Sequence, residues 1–399
     1  MIKREAEKLI LDLMKEYPAV TLFGPRQCGK TTLAKSLFSE FSYANLEDMD
    51  ARTLAKNDPK EFFTHFPEPV IIDEIQRVPE LLSTVQVRID EKKKKGQYLI
   101  TGSQQIPLKS TVSQSLAGRT ATVHLLPLSI RELNNSGVTL DRDVHLISGG
   151  MPYLFAEKGH IPYEYYKNYV ETYIERDIAR IGAVQDLQRF ENFMHLLAGR
   201  TGQLVNNSAV ANEVGVSSTT IGSWISILEA SHLIYVLKPW YKNRTSQVVK
   251  TPKIYFCDTG LVSYLLGIET PEQMRRDPLL GNLFENLVVI EALKTRLNQG
   301  AEANLFFFRD CKGVEVDLML VQSDKMNLFE IKSGKALNED FIKNMQRFSE
   351  KYNIETSDKK GTVIYSGETI ESYKDYAFVN FMRTADLFIK QKAAFRLKF

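Results

Sequence analysis

The segment Phe23–Thr32, FGPRQCGKTT, constrains this chain more than any other stretch. It follows the apolar run AVTLF (Ala19–Phe23) and leads into Lys30–Phe38, whose spacing predicts a helix, so the local reading is strand, loop, helix. Gly24, Pro25, Arg26, Gln27, Cys28, Gly29, Lys30 and Thr31 match G-x-x-x-x-G-K-[ST] at every fixed position, with Thr32 next in the helix. Glycines let the backbone wrap a phosphate chain while amide N–H groups and the helix N-terminus face it. Lys30 reaches the terminal phosphates and Thr31 offers a hydroxyl to magnesium. Cys28 reads as a small filler, with a thiol activated by the helix terminus as the alternative.

Two later segments fit the same site. EPVIIDEIQ (Glu68–Gln76) is an apolar strand ending in Asp73 and Glu74; the first acid can hold magnesium through water and the second can polarise an attacking water. QYLITGSQ (Gln97–Gln104) is a buried strand ending in Thr101, Gly102 and Ser103, where Ser103 could sense a terminal phosphate, and Thr120–Leu125 adds a further apolar segment. Strands alternating with helices imply a parallel sheet covered on both faces, with ligands beyond the carboxyl ends of the strands. Arg119 and Arg26 are candidates for stabilising the transferring phosphoryl group, structural ion pairs being the alternative. The run EKKKK (Glu91–Lys95) reads as a solvated helix end stopped by Gly96.

A length of 399 residues suggests two or three domains, and 43% hydrophobic residues make them globular. With a formal net charge of +2 and 25% charged residues, no overall field marks the molecule for nucleic acid or membrane. Cys28, Cys257 and Cys311 are odd in number and far apart, which excludes a disulfide framework and a zinc spacing. The N-terminal MIKREAEKLILDLMKEY has amphipathic helical spacing, unlike the apolar block of a signal peptide, and no stretch suits a membrane span. The expectation is a soluble cytoplasmic protein.

In the middle, YEYYKNYVETYIERDIARI (Tyr163–Ile181) has aromatics at helical spacing, expected to pack as core, and ends in Glu175, Arg176 and Asp177. From Asn206, a helix capped near Asn207 or Ser208 ends at Gly215. A second begins at Ser217, with Ile221, Trp224, Ile225 and Leu228 on one face, and Leu233–Leu237 follows as a strand. This order is that of a winged helix-turn-helix. The second helix offers Ser217, Ser218, Thr219, Thr220 and Ser223, without side chains for bidentate base contacts. Lys238, Lys242, Arg244, Lys250 and Lys253, among Trp240 and Tyr241, suit contact with a DNA backbone; interdomain packing is the open alternative.

The C-terminal part begins with the helical LLGNLFENLVVIEALKTRL, carrying Glu285, followed by strands NLFFFRD, VEVDLMLV and NLFEIK, a helix near Asp340–Tyr352 and the strand GTVIY. Period-2 alternation puts Glu330 and Lys332 on one face, and an adjacent strand can bring Asp317 beside them. Two carboxylates there could hold magnesium, Lys332 could activate water and Glu285 could complete the shell. Glu315 shares that face, to join the site or to pair with Arg309. The set resembles the D…E-x-K nucleases of the restriction-endonuclease and junction-resolvase type; charged strand ends without activity are the alternative.

GPRQCGKTT, VIIDEIQ, YLITGSQQ, SLAGR (Ser115–Arg119), LLPLSIREL (Leu125–Leu133) and GGMPYL (Gly149–Leu154) together resemble the prokaryotic AAA-type P-loop ATPases that carry a C-terminal domain of unknown function of the DUF4143 type. The similarity covers nearly the whole chain. It implies ATP and Mg2+ as cofactors, with phosphate-loop, magnesium and sensor roles for Lys30, Thr31, Asp73, Glu74 and Ser103, and a C-terminal domain similar to the nucleases. No guanine-reading N-K-x-D follows the fifth strand. The expected α/β architecture is a P-loop ATPase domain (1–160), a helical linker with a winged helix (161–270) and a restriction-endonuclease-like domain (271–399). The expected activity is an ATP-hydrolysing switch controlling the other two parts, on DNA or a partner protein. The alternatives are an ATP-regulated magnesium-dependent nuclease or a non-enzymatic ATP-dependent regulator. The oligomeric state stays open.

Overall fold

A computed structural model describes residues 2–103, 112, 116–174, 184, 186–241, 249–322, 325–352 and 359–389. Strands β1 (Ala19–Phe23), β2 (Ser42–Asn45), β3 (Val70–Asp73), β4 (Tyr98–Gly102) and β5 (Thr120–His124) form a wholly parallel sheet in the order β2-β3-β4-β1-β5. Every residue of β1, β3 and β4 is buried, as their unbroken apolar runs require in a sheet covered on both faces. Alternate residues feed two cores. Val20, Leu22 and Ile71 pack with Ile10, Leu33 and Ala34 of the helices Glu7–Glu16 and Lys30–Leu37. Ala19, Phe23, Val70 and Ile72 pack with Phe62, Leu82 and Ile89 on the other face. The short, polar β2 (SYAN) has no apolar pattern that would disclose it, and is held by pairing with β3.

The middle segment contains the helices Leu187–Ala198, Asn207–Val214 and Ser218–Ala230. Asn206 caps the second through its side chain, one residue earlier than expected, Gly215 ends it at φ +76°, and Ser217 caps the third. Strands β6 (Ile234–Pro239) and β7 (Lys253–Phe256) follow as an antiparallel pair.

The expected boundary at residues 270/271 is not a break in the fold. Strand β6 also pairs in parallel with β8 (Leu305–Arg309). β9 (Glu315–Gln322), β10 (Lys325–Lys332), β11 (Gly361–Tyr365), β12 (Ile370–Tyr373) and β13 (Tyr376–Asn380) complete a mixed sheet in the order β12-β13-β11-β10-β9-β8-β6-β7. One apolar core runs from Leu126 to Phe388 and includes most of the helix Leu280–Asn298. Middle and C-terminal parts therefore share a sheet and a core. No helix among the described residues is long and apolar enough to cross a membrane.

The edge of the first domain is tied by Glu68, whose carboxylate accepts from Arg88 Nε (2.6 Å) and Nη2 (3.0 Å), Lys92 Nζ (3.0 Å) and Tyr98 OH (2.6 Å). Burial alone would raise its pKa, but these donors outweigh it and hold the carboxyl at about 2. The ionised form is thus favoured by folding: the stabilisation is present above about pH 4.5 and fades as pH falls toward 2. Glu68→Gln is expected to cost about 1–2 kcal/mol at pH 7. In urea unfolding between pH 7 and 4, the gap between variant and parent should narrow toward the acid end.

Candidate functional site

The Gly24–Thr31 loop leaves the carboxyl end of β1, where the sheet is open to a ligand. A Cβ on Gly24 would lie 2.0 Å from the Leu125 carbonyl oxygen, so only glycine lets the loop pass that backbone. Gln27 (φ +60°) and Gly29 (φ +93°) turn the chain into the helix Lys30–Leu37. Lys30, almost fully buried, donates to the carbonyls of Gly24 (3.0 Å) and Pro25 (2.8 Å). Cys28 is buried with its thiol directed to the Leu125 carbonyl (3.2 Å), as a filler would be.

Beside the loop stands Asp73, the last residue of β3. Thr31 Oγ1 donates to its two oxygens at 2.9 and 3.1 Å, Tyr43 OH donates at 2.7 Å, and the Thr101 hydroxyl donates as well. Burial, then the hydrogen bond to Asp73, raises the Tyr43 pKa and keeps it a donor. Thr31 and Asp73 offer the hard oxygen ligands that magnesium takes. Glu74 occupies the left-handed region at φ +58°, uncommon for a residue with a side chain, at a cost of about 1–3 kcal/mol. The Gln76 amide donates to Glu74 Oε2 and to Ser103 Oγ (2.9 Å), joining the water-polarising candidate to the sensor candidate.

Arg119 does not join this site. It precedes β5 at the amino end of the sheet, where its carbonyl accepts from Ala19 N, a strand length of about 16 Å from the loop. There its guanidinium forms a two-point pair with Asp90 (2.6 and 2.8 Å). The motif SLAGR points to the correct strand, but spacing cannot tell which end of it an arginine occupies. Arg26 stays on the loop, 4.0 Å from Glu47, which also pairs with Arg77 at 2.7 Å.

Other neighbours of the loop carry no local sequence signal. The tyrosines expected to be core divide. Tyr166 is buried and donates to Asp258 (2.6 Å), whereas Tyr165 OH donates to Gln27 Oε1 (2.6 Å) and Tyr169 OH to the Arg26 carbonyl (3.4 Å). They lie on the helix Pro162–Tyr169, which runs into a π-helical turn at Val170–Ile174; Glu175, Arg176 and Asp177 lie outside the described residues, as does Ser115. From the N-terminus, buried Arg4 donates to Cys28 O (2.7 Å), Leu126 O (2.6 Å) and Glu132 Oε1 (2.9 Å). The one pattern in the sequence that bears on this contact is the capping box of Ser129 and Glu132. Leu128 O accepts from Lys294 Nζ (2.9 Å), and Ile130 N donates to Glu291 Oε2 (2.8 Å), so the Leu125–Leu133 segment reaches the C-terminal helix.

The C-terminal candidates meet as the register requires. Phe329 pairs with Leu318, so Glu330 and Asp317 lie one step beyond that pair. Lys332 Nζ contacts Glu330 Oε1 (2.7 Å) and Asp317 Oδ2 (3.4 Å), and Ile331 N donates to Asp317 Oδ2 (2.8 Å). Glu285 faces another partner: buried Lys253, at 2.8 Å, which also binds Glu315 (2.7 Å), itself 3.3 Å from Arg309. Tyr255 OH donates to Glu285 too (2.6 Å). Two lysines thus neutralise the carboxylates, and no group of three or more His, Cys, Asp or Glu poised for a metal occurs among the described residues.

This burial withdraws Lys253 from the expected DNA-facing cations. Lys238 and Lys250 are exposed, Lys242 and Arg244 lie outside the described residues, and Trp240 packs on Phe348 (5.7 Å) and Tyr352 (5.9 Å). Burial, then the charge of Asp317, raises the Glu330 carboxyl to about 8, with Lys332 opposing and Glu285 adding to the rise. Between about pH 4.5 and 8 the folded protein holds a proton that the unfolded chain releases, so stability falls as pH rises through that window. Glu330→Gln should flatten this slope in urea unfolding series at pH 5–8 with EDTA present.

Residues 16–134 match the family described as AAA domain, residues 140–272 a domain of unknown function (DUF8612) and residues 280–384 another (DUF4143). Uncharacterized proteins of Mycobacterium tuberculosis and Mycobacterium bovis are each 31% identical over 334 residues, covering 83% of this chain and 74% of theirs. An uncharacterized protein of Haemophilus influenzae is 26% identical over 242 residues, 56% of this chain and 57% of that one. Among solved structures, a Walker-type ATPase of Pyrococcus abyssi aligns with 66% of this chain and 96% of its own at 14% identity and a TM-score of 0.44. The chain belongs to the family shared with these mycobacterial proteins, that of AAA-domain proteins with a C-terminal DUF4143 domain.

Proposed function

We propose that the protein is an ATP-hydrolysing switch. The observation behind this reading is the Thr31–Asp73 contact beside the loop, with Glu74 held in a strained conformation next to it. In this reading Thr31 and Asp73 hold magnesium, which supplies charge neutralisation for the phosphates when bound. Lys30 exchanges the Gly24 and Pro25 carbonyls for terminal phosphate oxygens. Glu74 polarises the attacking water, and Gln76 sets its carboxylate against Ser103 near the terminal phosphate. The remaining loop residues, Gly24 to Gly29 and Thr32, cradle the phosphates through their backbone and the helix N-terminus. The nucleotide state passes through Leu125–Leu133 to the helix Leu280–Asn298, and so to the second sheet, which acts on DNA or a partner protein.

Lys30→Ala is expected to abolish ATP turnover, and Glu74→Gln to lower it about 100-fold or more while nucleotide still binds. A coupled phosphate-release assay reads both; hydrolysis unchanged in Lys30→Ala would sink the reading.

A second reading concerns the finer role of the rest of the chain: a winged helix that contacts the DNA backbone and a restriction-endonuclease-like module that cuts it. What favours it is Glu330 Oε2, buried without a hydrogen-bond partner beside Asp317 and Lys332, in the position of an unused ligand. In this reading Lys253 must yield Glu285 when the site is loaded. Incubation with supercoiled, branched and single-stranded DNA in Mg2+ or Mn2+ tests it: the parent should cut, and Asp317→Ala and Lys332→Ala should each lose the activity. Absence of cutting by the parent would leave the module a scaffold.

A further inference from the structure

The loop opens into a cavity of about 640 Å³, within the range of sites that bury a small molecule. Lys30, Thr31 and Glu74 form its polar part. A phosphate chain on these residues would leave unused the remaining wall, which is apolar: Ile2, Val138, Pro152 and Tyr153. That wall starts at the loop itself, since Pro152 Cγ lies 3.7 Å from where a Cβ on Gly29 would stand.

Tyr153 is the unusual member. An aromatic ring left 54% exposed forgoes burial that its area would otherwise gain. Its position is nevertheless defined. It stacks on Tyr165 at 5.6 Å and 17°, and lies against His160 at 4.4 Å; Tyr165 in turn donates to Gln27 in the loop. The ring is thereby set relative to the phosphate end of the cavity, as preorganised recognition requires. An apolar wall with an aromatic face fits a flat heterocycle and disfavours a second charged group.

We propose that Tyr153, with Pro152, Ile2 and Val138, receives the base of the bound nucleotide, the ring stacking on a purine. This rests on the reading that the loop binds ATP. GGMPYL then combines two structural requirements, since its glycines admit the close backbone at Leu128 and its Pro-Tyr pair presents the base-binding face. At Gly150 a Cβ would fall 2.3 Å from Leu128 O.

Titration calorimetry with the Mg2+ complexes of AMPPNP and of inorganic tripolyphosphate separates the two parts of the cavity. Tyr153→Ala should weaken AMPPNP binding about tenfold, the scale of losing one base–aromatic stack, and leave tripolyphosphate unchanged. Tyr153→Phe should bind both as the parent does. Lys30→Ala should weaken both. AMPPNP affinity unaltered in Tyr153→Ala, or an equal loss for tripolyphosphate, would overturn the base site alone. No binding by the parent, or none of the expected loss in Lys30→Ala, would overturn the loop reading and the base site with it. Because Tyr153 is half exposed, its replacement should leave the thermal unfolding midpoint near the parent value, which checks that folding is intact.

Discussion

The structure turns on one buried guanidinium. Arg4 satisfies the carbonyls of Cys28 and Leu126 and the carboxylate of Glu132 at once, so the back of the loop, the chain leaving β5 and the N-terminal segment meet in a single set of charge-assisted bonds. Glu132 is itself almost fully buried and accepts from Glu5 N and Ser129 N. Removing either charge would strand the other in a low-dielectric interior, which costs more than the pair contributes when intact. The loop is therefore held from behind by contacts that no ligand needs to supply.

The same segment continues the connection outward. Leu128 O and Ile130 N are bound by Lys294 and Glu291, which pair with each other at 2.8 Å inside the helix Leu280–Asn298. His145, close by, is kept neutral: burial, then the charge of Lys294, lowers its pKa to about 4. Asp258 ties the other side, accepting from Gly150 N and from Tyr166 OH. Buried polar bonds of this kind have few alternative arrangements, so a shift at Cys28 or Leu126 has a short, stiff path to the second sheet. The shared core and the β6–β8 pairing make that sheet respond as one body with the middle segment.

The loop, the acids at the end of β3 and the polar end of β4 were legible because each is a short-range pattern: an apolar strand followed at once by the group that must face a phosphate or a metal. Glu330, Lys332 and Asp317 were legible for the same reason, since period-2 alternation and one hairpin register suffice to bring them together. Arg119 misled because the motif reports proximity to a strand and not the end of it. Lys253 reads in sequence as one of a run of exposed cations, and becomes the buried partner of Glu285 and Glu315 only when β6 joins β8, a strand far along the chain. Tyr165 and Tyr169 looked like core because helical spacing records which residues share a face, not what that face meets.

Taken alone, the order of residues determines the phosphate loop, the parallel sheet beneath it, the caps of the middle helices and membership of three successive matched regions, all of which depend on contacts within some tens of residues. The tertiary structure decides what lies behind and above that loop: Arg4 beneath it, Tyr165 and Tyr153 beside it, and the lysines that occupy the carboxylates of the second sheet. The physical reason is that burial sets the value of a charge. A lysine or arginine looks the same in sequence whether water or a buried carboxylate is its partner, and only the packing of distant segments chooses between them.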